Sequence, residues 1–584
     1  MQLRRPTTLL LATLAAASLH ACSDSNSLPR DGETPADTGR PPTDAGADTT
    51  VEPDTAVEPD GADDSGSEDT TPTDTEPADT GADSEPADTG VDTEPADTGA
   101  DSEPADTGDD SEPVDTGADS EPVDTGADSG GEPPVESPFT GTILLGRPEP
   151  TRAELSLVAT EAVEAWVEYG TAAGDFSRAT PPTNLAPNLA HVVALTGLAA
   201  DQRVTYRVRW RRPSDTAAAA HPARTFSTPR SAGQTFTFTV QADSHLDENS
   251  VLEQYQRTLD NIAADQGDFH IDLGDTFMCE KHSEPLSGVV ARAPDEATVV
   301  SRYLYERGHF DRITQQTALF LVNGNHEGEL GYLRTPDGAN VADWAANARE
   351  AFFLNPLPGS FYGGDPASDP VVGQRAAWYS WQWGDALFVV LDPFWNTLGR
   401  VSRDPWAITL GQAQFEWLEA TLEASTARFK FVFIHNLVGG LDGAMRGGVE
   451  AAGLYEWGGR ELDGTDAFAT RRPGWSMPIH ALLATHGVTA VFHGHDHLYA
   501  HQQLDGVHYQ EVPQPSARNN NSGANLAATY HYDSGTIASS SGHLRVTVAP
   551  RLVSVDYVRS WLPAAEGATR INREITDHWE VAAP

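Results

Sequence analysis

The stretch Phe-Thr-Phe-Thr-Val-Gln-Ala-Asp-Ser-His at residues 236–245 joins a strand-like apolar run to an Asp-x-His pair, Asp243 and His245. Polar residues follow directly after an apolar run at four further places in the chain. These are Gly274-Asp275 after 269–273, Gly324-Asn325-His326-Glu327 after 319–322, His435 after 431–434, and Gly494-His495-Asp496-His497 after 488–492. Open α/β sheets bind ligands at the carboxyl ends of their strands, so the five segments predict one common site.

The side chains of these segments form a mixed set of oxygen and nitrogen donors. The carboxylates are Asp243 and Asp275, the imidazoles are His245, His435, His495 and His497, and the amide is Asn325. Such a set suits zinc, iron or manganese better than calcium, and it contains no thiolate. A single histidine is as often structural as functional, but five compatible segments in order predict a metal centre.

Residues from about Phe236 to Tyr557 resemble a calcineurin-like metallophosphoesterase, and together with the preceding segment they look closest to the purple acid phosphatase branch. The resemblance implies an α/β fold of four layers, in which a β-sandwich is flanked by helices. It also implies two divalent or trivalent ions of iron, zinc or manganese. Asp243, His245 and His497 would hold the first ion, Asn325, His435 and His495 the second, and Asp275 would bridge both.

In such centres two cations about 3.5–4 Å apart lower the pKa of a bridging water and neutralise the phosphate, so that hydroxide can attack phosphorus. The resemblance implies that His326 donates a proton or hydrogen bond to the leaving-group oxygen. Glu327 and Asp496 are expected to orient imidazoles from outside the ligand set. Purple acid phosphatases place a tyrosine ligand three residues after the bridging aspartate, where this chain has Met278. A purple ferric centre is therefore not expected, whereas zinc, manganese and ferrous centres stay open.

Residues 138–230, ahead of the catalytic domain at 234–560, have an all-β pattern. The runs 163–169 and 206–210 alternate apolar and polar residues between Gly, Pro and polar turns, which predicts a small sandwich. Val167-Glu168-Tyr169-Gly170 and Thr225-Phe226 resemble the fibronectin type III-like domain that precedes purple acid phosphatase domains. A role as packing partner or spacer is favoured over separate recognition. The segment 561–584 is interpreted as a C-terminal tail.

Residues 22–137 have the composition of a disordered tether. Between Asp31 and Ser137 there is no Phe, Trp, Tyr, Ile or Leu, so the segment cannot bury a core. It carries about 35 acidic residues against Arg40, and a nine-residue unit with Glu-Pro recurs from Glu76 to Glu121. These short polar units are low complexity and not folded repeats. Most of the chain's formal charge of -50 therefore belongs to the tether.

The first 21 residues resemble a bacterial lipoprotein signal. Arg4 and Arg5 precede an apolar stretch, 9–17, that is too short to span a membrane. Leu19-His20-Ala21-Cys22 resembles a lipobox, which implies cleavage before Cys22 and lipidation of its thiol. Export to the outer membrane or cell surface is then expected rather than a free periplasmic protein. The alternative is an ordinary secreted protein in which the cysteine occurs by chance.

These observations predict an exported, lipid-anchored hydrolase of small phosphate esters that uses two metal ions and His326. A phosphodiesterase acting on nucleotides or lipid head groups is an alternative, because the metal core is shared and pocket shape decides. A surface-displayed binding module that keeps the fold without turnover is an alternative of another class. The acidic composition argues against nucleic acid as a structural partner, and membrane contact is expected only through the lipid.

Overall fold

The computed structural model describes residues 135–245, 247, 250–279, 295–399, 404–437, 446–518 and 522–584. All of them lie in the second of two compact units, Val123–Pro584. The predicted signal peptide, Cys22 and nearly all of the tether lie outside the described residues. Within the described ranges, no helix has the length and apolar character needed to cross a membrane.

The segment after the tether folds into two antiparallel sheets. Its strands are β1 (Gly141–Glu149), β2 (Arg152–Ala159), β3 (Val163–Gly170), β4 (Arg178–Ala179), β5 (Thr183–Leu185), β6 (Ala190–Thr196), β7 (Arg203–Arg211), β8 (Ala219–Ala220) and β9 (Arg224–Ser227). One sheet has the order β1-β2-β6, and the other has the order β4-β3-β7-β8, with β5 on β3 and β9 on β7. The alternation of buried residues along β3 and β7 places one face of the second sheet in the core. This part of the chain is all-β, whereas its fibronectin-like identity stays a prediction.

Two larger sheets follow, built from β10 to β23. In chain order these strands are Phe236–Gln241, Phe269–Asp272, Ala318–Leu321, Gly363–Gly364, Tyr379–Trp383, Ala386–Val390, Phe429–Phe433, Ala490–His493, Leu498–Leu504, Val507–Glu511, Thr536–Ser539, Gly542–Ala549, Leu552–Arg559 and Ile575–Ala582. The first sheet has the order β12-β11-β10-β21-β22-β23. The second has the order β13-β14-β15-β16-β17-β19-β18-β20. Parallel pairing holds β10, β11 and β12 together in the first sheet and β15, β16, β17 and β19 in the second.

The helices are α1 (Leu252–Asp265), α2 (Glu296–Thr314), α3 (Val341–Phe352), α4 (Gln412–Ala424), α5 (Gly448–Ala451), α6 (Tyr455–Gly458), α7 (Phe468–Arg471), α8 (Ile479–Thr485) and α9 (Gly523–Tyr530). Apolar residues of α1 to α3 pack with Leu319 and Leu321 of the first sheet. Those of α4 and α8 pack with Val432 and Val491 of the second sheet. The four-layer α/β architecture expected from the sequence is therefore confirmed.

Aromatic side chains fill the space between the two large sheets. The ring of Phe238 lies 5.3 Å from that of Phe388 and 5.2 Å from that of Phe269, centroid to centroid. Trp381 stacks on Phe320 at 4.2 Å and is buried together with Trp383. Such edge-to-face and stacked pairs are favourable beyond the apolar area that they bury. The rigid core holds the strand ends, and hence the predicted ligands, in place.

Helix α2 docks on the N-terminal sandwich through polar contacts. The buried guanidinium of Arg307 donates to Thr142 Oγ1 at 2.7 Å and to the Ser156 carbonyl at 2.6 Å. One turn later, Asp311 accepts from the amide of Ile143 at 2.7 Å, and Thr314 donates to the Ile143 carbonyl at 2.9 Å. The sandwich is thus a packing partner of the larger domain, whatever else it does.

The C-terminal segment contributes structure that the sequence did not indicate. Strand β23 pairs antiparallel with β22 and extends the first large sheet. Trp579 in its middle is buried and donates to Gln510 Oε1 at 2.8 Å. Apart from Trp579, the residues of β23 are exposed or partly exposed, as suits an edge strand, so the strand has no clear buried apolar face by which it could be recognised in the sequence.

Candidate metal centre

The predicted ligands follow the carboxyl ends of five parallel strands. Asp243 follows β10, Asp275 follows β11 and Asn325 follows β12, all in the first large sheet. His435 follows β16, and His495 and His497 follow β17, in the second. Because the sheets pack face to face, their strand ends meet at one edge of the domain, as the sequence predicts.

The structure brings six of these side chains into two groups of possible metal ligands. Asp243, His245 and His497 form one group, and Asp275, His435 and His495 form the other, with the donor atoms in each group within 4.8 Å of one another. In the first group Nε2 of His245 is 3.1 Å from Nε2 of His497 and 3.8 Å from Oδ1 of Asp243. The second group has Nε2 of His435 3.1 Å from Oδ2 of Asp275. That same carboxylate oxygen is 3.7 Å from Nε2 of His245, so Asp275 reaches both groups.

Several donor atoms at this site are buried without a hydrogen-bond partner. They include Oδ1 of Asn325, Nε2 of His435 and both ring nitrogens of His495. An unsatisfied buried polar atom costs about 1–3 kcal/mol, so such a concentration in one place needs an explanation. Imidazole, amide and carboxylate donors converging from two sheets fit a pair of transition-metal ions.

The backbone at these residues is strained in a consistent way. Left-handed φ angles occur at Asp243 (62°), His245 (53°), Asp275 (53°), His495 (85°) and His497 (58°). Each such conformation of a non-glycine residue costs on the order of 1–3 kcal/mol and persists only where surrounding contacts determine it. Residues in this state cluster at functional sites, as these five do.

Two glycines next to the ligands are required by close approach. A Cβ added at Gly494 would lie 2.6 Å from Oδ2 of Asp243, and one at Gly324 would lie 2.3 Å from Oδ1 of Asp275. Any side chain at either position would displace a carboxylate of the site. The glycines before these two ligand motifs are therefore explained by contact with another ligand loop.

His435 is held in one tautomer by the main chain. Its Nδ1 donates to the carbonyl of Leu273 at 3.0 Å, which leaves Nε2 facing Asp275. Such an outer hydrogen bond fixes the orientation and tautomer of a ligating imidazole. Burial opposes the imidazolium, but the charge of Asp275 outweighs it and raises the pKa of His435 to about 9.

His326 lies beside the first donor group. Its backbone amide donates to Oδ1 of Asp275 at 2.8 Å, and its ring lies 5.5 Å from the ring of His245, edge to face. The side chain is half-buried, so a substrate can reach it. Its position is compatible with the role that the resemblance implies.

Glu327 has different partners from those expected. Its buried carboxylate accepts from the backbone amides of Asp275, Thr276 and Phe277 at 2.9, 2.7 and 3.2 Å, and from the amide of Gly324. It thus ties the loop after β11 to the loop after β12, whereas the sequence predicted that it would orient an imidazole. The reason is local: the 3-10 turn Asn325–Glu327 aims the carboxylate at the neighbouring loop.

Asp496 also binds groups other than the expected imidazole. Its carboxylate accepts from Nε of Arg446 and from the hydroxyl of Tyr532, each at 2.9 Å. Arg446 in turn donates to the carbonyl of His495 at 3.2 Å and stacks on the ring of Tyr530 at 4.1 Å. The loop that carries His495 and His497 is therefore held both through its backbone and through the carboxylate of Asp496.

Asp247 is a buried carboxylate that the sequence analysis missed. Its Oδ2 lies 3.6 Å from Nδ1 of His245, on the ring edge opposite the donor group. Burial disfavours the imidazolium, yet the carboxylates of Asp243 and Asp247 outweigh burial and raise the pKa of His245 to about 10. A carboxylate two residues after an Asp-x-His motif is too common a pattern to have identified it.

Residues 279–308 and 518–523, which the sequence suggests as possible sources of substrate contacts, are described only in part. Cys279 donates its backbone amide to the carbonyl of His326 at 2.9 Å, while His282 lies outside the described residues. The second segment, 518–523, is described at residues 518, 522 and 523. Met278 is buried where the resemblance would place a tyrosine ligand.

Residues 236–499 match the family model of the calcineurin-like phosphoesterases. The chain contains a calcineurin-like phosphoesterase domain. All of the predicted ligands lie within the matched range. The domain is that of a phosphoester hydrolase, and such phosphoesterases use dinuclear metal centres, in agreement with the two donor groups.

Comparison with solved structures finds two that are similar to this chain. One, described as the structure of PhoD, superposes with a TM-score of 0.54 at 15% identity and covers 77% of this chain and 91% of that chain. The purple acid phosphatase PPD1 from yellow lupin (Lupinus luteus) seeds has a TM-score of 0.47 at 13% identity, covering 75% and 74%. Among proteins of curated function, none matches the sequence significantly.

Proposed function

We propose that this chain hydrolyses small phosphate esters at a two-metal centre. The observation that carries the proposal is the pair of donor groups, which meet at Asp275 and contain buried donor atoms without hydrogen-bond partners. The phosphoesterase domain supplies the reaction class, and the donor chemistry supplies the cofactor class. A small phosphate ester is the substrate that such a centre fits best.

The ligand assignment is the one that the resemblance implies, and the grouping of the donor atoms supports it. Asp243, His245 and His497 would hold one ion, Asn325, His435 and His495 the other, and Asp275 would lie between them. A bound metal pair would lower the pKa of a water molecule and neutralise charge on the phosphoryl group. The protein orients these donors in advance. The Leu273 carbonyl accepts from Nδ1 of His435, and the carboxylate of Glu327 accepts from backbone amides of the ligand loops, including that of Asp275.

His326 is proposed to donate a proton or hydrogen bond to the leaving-group oxygen. Its amide is anchored on Asp275 while its ring stays half-buried beside His245. An imidazole near neutral pH can give a proton and regain it within one catalytic cycle. The anchored backbone keeps the ring close to the reacting phosphate.

Three observations bear on the alternatives. The complete ligand set favours turnover over a binding module, since a missing ligand would be expected of a domain that had lost activity. The same metal core could serve the hydrolysis of monoesters or of diesters. We propose monoester hydrolysis, and diester hydrolysis is measured in the same experiment. The position of Met278 favours zinc, manganese or ferrous ions over a ferric centre.

The activity is tested with the full-length chain and a chromogenic phosphate monoester and diester, with metal content measured on the same samples. We expect hydrolysis that requires about two metal equivalents and is lost in Asp275→Asn. Asp260→Asn, which alters an exposed carboxylate of α1, is the matched control and should keep full activity. Two bound metals without hydrolysis of either ester would refute general phosphoesterase activity.

We also propose that the protein is exported and anchored through lipid on Cys22, with the acidic tether as spacer and the sandwich as a fibronectin type III-like domain. The lipobox-like sequence and the apolar stretch before it support the anchor. Radioactive palmitate supplied to expressing cells should label the wild-type chain and not Cys22→Ala. Equal labelling of the two would exclude the anchor.

A further inference from the structure

The two donor groups differ in what holds one histidine of each, His435 and His245. In the second group, Nδ1 of His435 donates to a backbone carbonyl, that of Leu273. In the first group, Nδ1 of His245 faces a side chain instead, the carboxylate of Asp247, at 3.6 Å. A carbonyl is fixed by the fold, whereas a carboxylate can be removed by one substitution.

The two ring nitrogens of His245 face different groups. Nε2 points into the site, 3.7 Å from Oδ2 of Asp275 and 3.1 Å from Nε2 of His497. Nδ1 points away from the site towards Asp247, which is fully buried. A neutral imidazole that offers Nε2 to a metal carries its proton on Nδ1, next to that carboxylate.

The surroundings explain why a carboxylate is needed here. His245 follows β10 in a left-handed backbone conformation and is 5% exposed, so its outer nitrogen has little access to bulk water. Its amide donates to the carbonyl of Asp275 at 3.0 Å, which fixes the backbone but leaves the rotation of the ring to side-chain contacts. Asp247 is the acidic group in contact with the outer edge of that ring.

We propose that Asp247 is a positioning residue that sets the affinity of the first metal site, that of Asp243, His245 and His497, separately from the second. The inference rests on the two-metal function proposed above. A carboxylate behind a ligating histidine fixes its tautomer and increases its basicity, and loss of such a partner typically costs about 10–100-fold in metal affinity. The second site does not depend on Asp247, because the main chain orients His435. Removal of the Asp247 charge therefore weakens one site of the pair.

The test measures metal binding by the full-length protein after chelation, with Zn²⁺ and Co²⁺ titrated separately and the Co²⁺ absorption spectrum recorded at each step. Wild type should bind two equivalents tightly. Asp247→Asn should keep one tight equivalent and bind the second about 10–100-fold more weakly, with the spectrum of the first equivalent unchanged. Asp265→Asn is the matched control, since it removes another buried carboxylate that contacts an imidazole, that of His543 at 2.7 Å, at the far end of α1.

A double-mutant cycle with His245→Ala tests whether Asp247 acts through that imidazole. Once His245 is absent, Asp247→Asn should have no further effect on either equivalent, even if the single variants are less stable. Two outcomes overturn the inference: tight binding of both equivalents by Asp247→Asn, or an equal additional loss in the His245→Ala background. Failure of the wild type to bind two equivalents would instead refute the two-metal centre itself.

Discussion

Replacement of Glu327 by Gln is expected to loosen the metal-site loops, because its carboxylate serves as a common acceptor for four backbone amides. One oxygen accepts from Thr276 and Phe277, and the other accepts from Asp275 and Gly324. Glutamine has nearly the same shape but offers one carbonyl oxygen and one NH₂ group. Whichever way the amide is turned, two backbone N–H groups face a donor.

The size of the effect follows from this count. A hydrogen bond to a charged group contributes about 1.5–3 kcal/mol, so the loss of two predicts about 3–6 kcal/mol in the free energy of unfolding. The carboxylate is buried, so solvent cannot replace the lost acceptor. This is a large share of the roughly 5–15 kcal/mol that stabilises a typical domain.

Urea unfolding of the chelated proteins, followed by fluorescence, measures this change without a contribution from metal. Glu416→Gln makes the same chemical change on the exposed face of α4 and should alter stability by no more than about 0.5 kcal/mol. The affinity for metal should fall in Glu327→Gln as well, since Asp275 and Asn325 lie on the two loops that the carboxylate joins. If the free energy of unfolding of Glu327→Gln lies within 1 kcal/mol of that of wild type, the hydrogen bonds from backbone amides to Glu327 do not stabilise these loops.

Three further predictions concern catalysis, pH dependence and the domain contact. His326→Asn should lower kcat for ester hydrolysis by about 10²–10⁴-fold while leaving two metals bound. If kcat for a substrate with a poor leaving group is unchanged in this variant, His326 is not a proton donor. Burial and the nearby charge of Asp272 raise the pKa of Glu306, whose carboxylate oxygens have no hydrogen-bond partner, well above its usual value of 4.5. The folded state therefore binds this proton more tightly than the unfolded state, and stability is lost as pH rises above 4.5. Glu306→Gln should match wild type near pH 4 and become progressively more stable than it towards pH 8 in urea titrations, and parallel stability curves would contradict this. Arg307→Met should cost about 3 kcal/mol or more, because it leaves the carbonyls of Ser156 and Phe352 without their donor. Thermal unfolding checks the last change, and a melting temperature equal to that of wild type would show that α2 docks on the sandwich without this contact.

Several strands and the candidate site of this domain were accessible from sequence because both leave short-range signals. Each ligand motif directly follows an apolar run, and the runs became β10, β11, β12, β16 and β17. The alternating residues 542–548 and 552–557 are a signal of the same kind and correspond to the paired strands β21 and β22. Apolar residues at helical spacing within 410–422 likewise correspond to helix α4, which begins at Gln412.

The supporting contacts were not accessible, because their partners are far apart in the chain and carry no motif. Glu327 binds amides about 50 residues away, and any residue other than proline provides an amide. Arg446 reaches the His495-containing loop from a segment without recognisable pattern. Arg307 binds the sandwich partly through a backbone carbonyl, that of Ser156. Sequence patterns identify groups that perform chemistry, but they seldom identify the groups that hold these in place.

The backbone strain at the ligands explains why so many supporting contacts are present. Left-handed residues on both sheets would relax if their loops were free, since each costs on the order of 1–3 kcal/mol. Main-chain bonds join neighbouring loops within each sheet, as from the amide of Asp243 to the carbonyl of Gly274 and from that of Gly494 to His435. The carboxylate of Asp243 joins the two sheets by accepting from the amide of His495 at 2.9 Å. A metal ligand thus also serves as a structural cross-link, so loss of Asp243 would remove a donor atom and release the strain that positions His495.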